Sequence, residues 1–494
     1  MTDPHTPTER PLDDVAARLR TLQAGDLPVH GGRILAYVYD SGLTEVDRIA
    51  REAVASFAGS NGLDPTAFPS LLQMENDLVA FAAGLLDAPS SVVGTITSGG
   101  TESVLLAVQT ARDARPDISR PAMVLPSTAH AAFHKAAHYF GVEARVVDVD
   151  AGFRADPEAM RAAVDDRTVL MVASAPSYAH GVVDPVREIA AVAAERGLRC
   201  HVDACIGGWV LPYARRSGRA VPDWTFEVEG VTSISVDLHK YAYAPKGASL
   251  LLHRSPELRR AQYFASAAWP GYTMLNSTMQ STRSGGPVAG AWATVQSIGD
   301  AGYRRLADEV FAAVDEIAAG VSDIAGIEVL VKPDSTLLAL VTNADCDPFT
   351  ICDEMAERGF FVQPQLSYAG LPATLHLSVS AATLPHVGEL LEALAASATA
   401  ALAAGPVVVD AGVAAYVAAL DPAEIGAEEF DGLLAAAGLI SEGGPGDTGG
   451  TEGLELPTRM AEVNALLDLA APALREAVLV AFLDRLQRPN WTGQ

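Results

Sequence analysis

From about residue 92 the chain alternates between short β-rich runs and alanine-rich stretches with helical spacing. The runs are Val92–Thr97, Met123–Leu125, Ala144–Val149, Val169–Ala173, Arg199–Val202, Ser233–Val236 and Ala248–His253. Strands alternating with helices predict an α/β domain with a mainly parallel, seven-stranded sheet, because each helix carries the chain back to start the next strand. The last two runs are joined by a loop too short for a crossover helix, so that pair is expected to be antiparallel.

The flanking regions read differently. Residues 1–60 form an N-terminal arm with helical spacing over 42–57, and a second helix is expected over 70–87, after the Phe68-Pro69 break. The large domain is placed at 61–295, with a long connecting helix over 288–320. A smaller α+β domain follows at 296–404. Its expected elements are Ile327–Val331, Leu337–Val341, a helix near Pro348–Arg358, Phe360–Gln363, Thr374–Val379 and a final helix. Residues 405–494 form an alanine-rich helical extension, interrupted by a flexible Gly/acidic linker at 441–453. No internal repeat is visible. The extension carries no recognisable chemistry, and packing or oligomer contacts are expected of it.

Composition excludes several classes. The net charge of −27 over 494 residues argues against nucleic acid as a partner. Mean hydropathy is +0.19, but it comes largely from alanine, and no window offers the ~18 uninterrupted apolar residues of a spanning helix. Leu391–Ala404, for example, contains Glu392, Ser397 and Thr399. The N-terminus is polar, with no apolar leader core after it. A cytoplasmic protein without a membrane partner is expected. Cys200, Cys205, Cys346 and Cys352 show no CxxC spacing, so neither a disulfide framework nor a metal site is indicated.

Four features carry chemistry. Ser235-Val236-Asp237-Leu238-His239-Lys240 delivers a lysine from an apolar strand into an apolar loop. Schiff-base chemistry needs such a partly desolvated amine, although alone it reads as an ordinary strand-end lysine. His201-Val202-Asp203-Ala204-Cys205 brings an acid to a strand end, where it could hold a proton on a pyridine nitrogen or cap a helix. Thr97-Ser98-Gly99-Gly100-Thr101-Glu102 leads into a helix and could cradle a phosphate, or be a glycine turn with a threonine cap. It lacks the GxGxxG and GxxxxGK[ST] patterns, which weighs against a nucleotide. His130 begins another helix and could stack on a ring. All four lie at the C-terminal edge of the sheet, where open α/β sheets bind ligands.

Together TSGGTES, AHAAFHKAAHYFG, HVDACIGG and SVDLHKYAYAPKG resemble the group II decarboxylases that depend on pyridoxal 5′-phosphate (PLP), within fold type I. The resemblance covers roughly residues 30–400, and the sphingosine-1-phosphate lyase-like branch is the most similar. It implies that Lys240 holds PLP as a Schiff base and afterwards moves protons. Asp203 would pair with the pyridine nitrogen, His130 stack on one ring face with Cys205 near the other, and Gly100, Thr101 and His239 hold the phosphate. Thr282 and Arg283 match the branch's Gly-Ser-Arg-Pro-Gly pattern, whose hydroxyl reaches the partner subunit's phosphate, so a homodimer with its site at the interface is implied. Tyr241, Tyr243 and Lys246 match a tyrosine/lysine cluster, and Tyr39 and Asn61 match substrate-side positions.

One departure bears on substrate. The branch's Asn-Pro-Leu-His-Pro is here Asn61-Gly62-Leu63-Asp64-Pro65, so a carboxylate replaces an imidazole, disfavouring a phosphate and favouring an amine or hydroxyl. The implied activity is a carbon–carbon lyase acting on an amine or amino acid by retro-aldol cleavage, with Tyr39, Tyr243 and Lys246 as acid/base candidates. Amino-acid decarboxylation is the alternative, followed by aminotransfer and by PLP binding without catalysis.

Overall fold

The computed structural model describes residues 9–436 and 458–487. Its centre is a seven-stranded sheet: β1 (Val93–Thr97), β2 (Ala122–Pro126), β3 (Glu143–Val147), β4 (Thr168–Ser174), β5 (Arg199–Asp203), β6 (Ser233–Asp237) and β7 (Ser249–His253). The spatial order is β1-β7-β6-β5-β4-β2-β3. Strands β3, β2, β4, β5 and β6 run parallel, and β7 is antiparallel to both neighbours. Every residue of β2, β4, β6 and β7 is buried, because helices cover both faces. The edge strand β3 instead carries Glu143 and Arg145, which pair with each other and with Asp165 and so discourage edge-on association.

A hairpin, β8 (Phe264–Ser266) with β9 (Met274–Asn276), leaves the main sheet. Sequence periodicity gives no sign of it, because its strands are three residues long and none of those residues is buried. The helix Gly286–Val321 then joins the two domains. It is broken at Gly299, whose φ of 64° and ψ of 174° lie outside helical space, in a region that glycine adopts readily. The boundary expected at 295/296 thus falls inside this helix, just before its break.

The small domain holds an antiparallel sheet in the order β10 (Ile327–Val329), β11 (Leu337–Thr342), β13 (Thr374–Ser378), β12 (Gln363–Gln365). The strand expected at Phe360–Gln363 starts at Gln363. Phe361 is used instead in an isolated bridge to Ile34, so residues 33–36 run along the sheet edge. Leu35 and Ala36 are fully buried there, which draws the N-terminal arm into the core. The helix Val387–Ala404 lays Leu390, Leu394, Ala398 and Ala401 into the same core. The extension forms helices Ala411–Ala419, Ala427–Ala436, Ala461–Leu469 and Pro472–Leu486, with its own small cluster of Phe430, Phe482 and Ala481. The linker expected at 441–453 lies outside the described residues.

Candidate active site

Four strand ends of the central sheet converge on one cavity of about 410 Å³. Gly99–Thr101 follows β1, His130 follows β2, Asp203 ends β5 and Lys240 follows β6, and all of them line it. The parallel order makes this convergence: strands pointing the same way release their C-terminal loops at one edge.

Lys240 sits with its Nζ 3.0 Å from Asp237 Oδ2. Burial disfavours its charge, but Asp237, then Tyr39, Cys205 and Asp203, outweigh this and hold its pKa above the ordinary lysine value. Asp237 is almost fully buried, accepts a hydrogen bond from Ser249 Oγ at 2.5 Å and lies 3.5 Å from His239 Nε2. Burial works against that carboxylate too, and Lys240 and His239 prevail, so its pKa lies below the usual aspartate value. Asp237 lies inside the lysine motif, where sequence reasoning assigns it no role. Its pairing with Lys240 depends on the turn after β6, which periodicity does not reveal.

Asp203 accepts from the Cys205 backbone N–H at 3.1 Å and from Ser235 Oγ at 3.3 Å. Cys205 is a neutral thiol, since burial and then Asp203 push its pKa well up. Beneath them His201 shares Ser233 and Ser235, and burial lowers its pKa to about 4. His130 is exposed and its Nδ1 accepts from the Ala132 N–H, which fixes the ring at the cavity rim. His239 is held by Ala248 O at 3.0 Å. Thr101 is exposed in the first turn of Gly100–Asp113, where backbone N–H groups favour an anion.

Gly100 is required by space. A Cβ there would lie 2.7 Å from Cys205 Sγ and 2.8 Å from Asp237 Oδ1. Glu102 fixes the turn by accepting from the Ser98 N–H at 2.6 Å and the Met279 N–H at 2.8 Å. These residues fit PLP: an amine for the aldehyde, a buried carboxylate for the ring nitrogen, a helix N-terminus for the phosphate and room for one flat ring.

Tyr39 and Lys246 lie beside this region, within the field of Lys240, although neither lines the cavity. The Lys246 ammonium lies 5.1 Å over the Tyr39 ring and donates to Tyr37 O at 2.9 Å. Burial raises the Tyr39 pKa, and Lys240 opposes the rise. Burial and Lys240 both lower that of Lys246. Tyr243 does not join them. Its φ of 58° turns the chain, its hydroxyl is buried beside Ala381, and Glu309 and Asp40 are the charges acting on it. The acid/base role expected for Tyr243 therefore has no geometric support. Tyr178, on the loop after β4, lines the cavity instead, with its hydroxyl donating to Gln363 Oε1 at 2.9 Å. The strand-end rule that found Lys240 could have found it.

The expected substrate residues Asn61, Asp64 and Arg283 lie elsewhere, and so does Thr282, expected to hold the cofactor phosphate of a partner subunit. Asn61 Oδ1 accepts from the Leu63 and Arg283 N–H groups. Arg283 donates to Ile96 O and Gly62 O and faces Glu75. Asp64 is exposed and accepts from Thr66 and Ala67 in a local turn, which lowers its pKa. Thr282 is exposed. Gly62, Leu63, Ser281 and Arg283 border a second hollow of about 290 Å³ with Tyr263 and Leu275. None of Asn61, Asp64, Thr282 and Arg283 lines the Lys240 cavity of the same chain.

Comparison with known proteins agrees with this geometry. The pyridoxal-dependent decarboxylase conserved domain matches residues 35–341. A second family, described as the C-terminal putative HTH domain of pyridoxal-dependent enzymes, matches 411–485, so the extension is a recognised module. The chain is 38% identical to a sphingosine-1-phosphate lyase of Arabidopsis thaliana over 70% of its length, and spans 64% of that protein, just under two thirds. It is 32% identical to a probable L-tyrosine/L-aspartate decarboxylase of Methanocella arvoryzae, covering 78% of this chain and 96% of that one. The solved structure of a Burkholderia pseudomallei sphingosine-1-phosphate lyase superposes with a TM-score of 0.76 at 34% identity, covering 81% of this chain and 93% of that one. The fold, the strand-end residues and these matches agree: the chain belongs to the pyridoxal-dependent decarboxylase family, and its cofactor is pyridoxal 5′-phosphate.

Proposed function

We propose that the chain is a PLP-dependent carbon–carbon lyase that cleaves a β-hydroxy amine in the retro-aldol sense, like the sphingosine-1-phosphate lyases it resembles. The observation that carries this is the Tyr39–Lys246 pair beside Lys240: the Lys246 amine lies 5.1 Å over the Tyr39 ring, and burial, then Lys240, lower its pKa, which suits it to take a proton. Loss of CO₂ needs no base for a hydroxyl, whereas cleavage beside a hydroxyl does. The cofactor, when bound, accepts the electron pair left on the amine-bearing carbon.

The protein's own residues do the rest. Asp203 keeps a proton on the ring nitrogen, and Ser235 and the Cys205 N–H keep Asp203 in place. The Gly99–Thr101 turn and its helix hold the phosphate. Lys240 binds the cofactor and carries protons at its Nζ, with Asp237 setting where that nitrogen sits. Lys246, whose pKa burial and then Lys240 lower, takes the hydroxyl proton at its Nζ in its neutral form, and Tyr39, beneath it as a neutral phenol, orients that hydroxyl.

The reading extends to a homodimer. Phe264, Trp269, Tyr272 and Leu275 on and around the β8–β9 hairpin are all exposed, an apolar surface suited to a second copy. Thr282, Asn61, Asp64 and Arg283 would then serve the partner's cavity. The four cysteines are all free and buried, which supports a cytoplasmic setting.

Amino-acid decarboxylation is the second reading, favoured by the Methanocella relative that this chain covers almost completely. A panel of amino acids and β-hydroxy amines separates the two. An aldehyde without CO₂ supports the lyase, CO₂ release replaces it with the decarboxylase, and neither product across the panel defeats both.

A further inference from the structure

The C-terminal module docks on the small domain at two places. Arg459 reaches Glu354 at 2.8 Å and Glu357 at 2.5 Å, while buried Asp353 accepts the Met460 and Ala461 N–H groups at 2.8 and 2.9 Å and so caps the helix Ala461–Leu469. The second grip is on the turn between β12 and β13. The Ser367 N–H donates to Asp468 Oδ1 at 2.6 Å, and its carbonyl accepts from Arg475 at 3.1 Å. Arg475 is itself fixed by Ala470 O at 2.8 Å and Asp468 O at 2.5 Å. Both backbone polar groups of one residue at the hairpin tip are thus held by the module.

The base of the same hairpin touches the cavity wall. Gln363 pairs with His376 across β12 and β13. Gln363 Oε1 takes the Tyr178 hydroxyl at 2.9 Å, and the His376 ring stacks on Tyr178 at 4.2 Å. Tyr178 and Lys240 line the same cavity. β12 is the edge strand of the four-stranded sheet, joined to it through β13, so what fixes the turn beyond β12 bears on Gln363 at its other end.

Charge says what the module is not built to hold. Residues 405–494 contain fourteen acidic residues and four arginines, with no lysine or histidine. Arg459, Arg475 and Arg485 already face carboxylates or carbonyls. A module of this charge does not attract a phosphate backbone.

We infer that the C-terminal module is an internal brace: through Arg475 and Asp468 it holds the β12–β13 hairpin and thereby positions Tyr178 on the wall of the Lys240 cavity. Arg475 and Asp468 are positioning residues, and the inference requires only that this cavity be the active site, not which bond is broken in it.

The test uses full-length holoenzyme and hydroxylamine, which attacks bound PLP and bleaches its visible colour. Arg475→Ala should speed bleaching by about fivefold, the size of effect expected from one lost hydrogen bond in the relay. Arg475→Lys should recover part of it. Hydrogen exchange should rise over 363–378 and 175–180 while 97–103 and 233–240 stay protected. Gln363→Leu cuts the link at the hairpin base without touching the module, so it should speed bleaching to a similar extent. The double variant should be no faster than either single one, because both cut one path. Unchanged bleaching in Gln363→Leu, multiplied effects in the double variant, or exchange confined to 366–372 and the module would each overturn the brace. If Arg475→Ala unfolds the module, Asp468→Ala, which removes the acceptor of the Ser367 N–H, decides: faster bleaching with raised exchange over 363–378 supports the brace, and no change overturns it.

Discussion

The Lys240 cavity and the Asn61/Arg283 hollow lie at opposite ends of the same problem. The first is chemically furnished within one chain: amine, carboxylates, imidazole and helix N-terminus all line it. In the second, the charged and amide side chains are occupied by their own backbone, and exposed aromatic and aliphatic groups lie around it. The contrast teaches that the groups around Lys240 come together within one chain. Under the dimer proposed above, the hollow's residues would act only against a second copy.

The largest effect should come from the first region. Lys240→Ala is expected to abolish borohydride labelling and to lower turnover by on the order of 10³-fold or more, with the fold intact. Label mapped to another lysine in the native protein would remove the basis of the comparison.

Next comes the link between the regions. Thr282→Asp places a negative charge on an exposed hollow residue and should impair a neighbouring chain's site rather than its own. Mixing it with Lys240→Ala should regenerate up to about a quarter of native activity, because mixed dimers carry one intact site. Mixed dimers that form without recovering activity would mean that each chain's hollow is irrelevant to its partner.

A smaller effect separates the regions by pH. Burial lowers the pKa of His201, under the cavity floor, to about 4, below its unfolded value near 6.5. The unfolded chain therefore takes up that proton first as pH falls. The stabilising contribution is full above about pH 6.5 and is lost toward pH 4. Asp184, raised to about 6 by burial, works in the opposite sense over much of this window. The informative measurement is thus the difference between native protein and His201→Asn: the variant's melting temperature should fall less between pH 7 and pH 5. Equal slopes would show that His201 is not held neutral.

The smallest effect is expected at Asp64. Asp64→His should leave the visible chromophore unchanged and move the melting temperature by no more than about 2 °C, since the side chain is exposed and bonds only its own turn. A change in colour or cofactor retention would bring Asp64 into the Lys240 cavity after all.

Much of the first region is legible in the amino-acid order alone. Gly100, His130, Asp203 and Lys240 each follow or end an apolar run, and parallel strands must release such ends together. The antiparallel β7 is readable from loop length. The β8–β9 hairpin is not, because strands of three residues, none of them buried, leave no period to detect. Tyr243 misleads for a local reason: it follows Lys240 closely in sequence, yet a left-handed backbone at that residue takes its hydroxyl to Ala381.

By itself the sequence determined the strands of the sheet, its C-terminal edge and the residues set along that edge, because periodicity and strand-end position are short-range properties. Only the tertiary structure decided that Asp237 partners Lys240, that Tyr178 walls the cavity and that Arg475 grips the hairpin behind it. The Asp237–Lys240 pair depends on the turn after β6, and the other two contacts join segments distant in sequence; neither kind leaves a repeating mark in the chain.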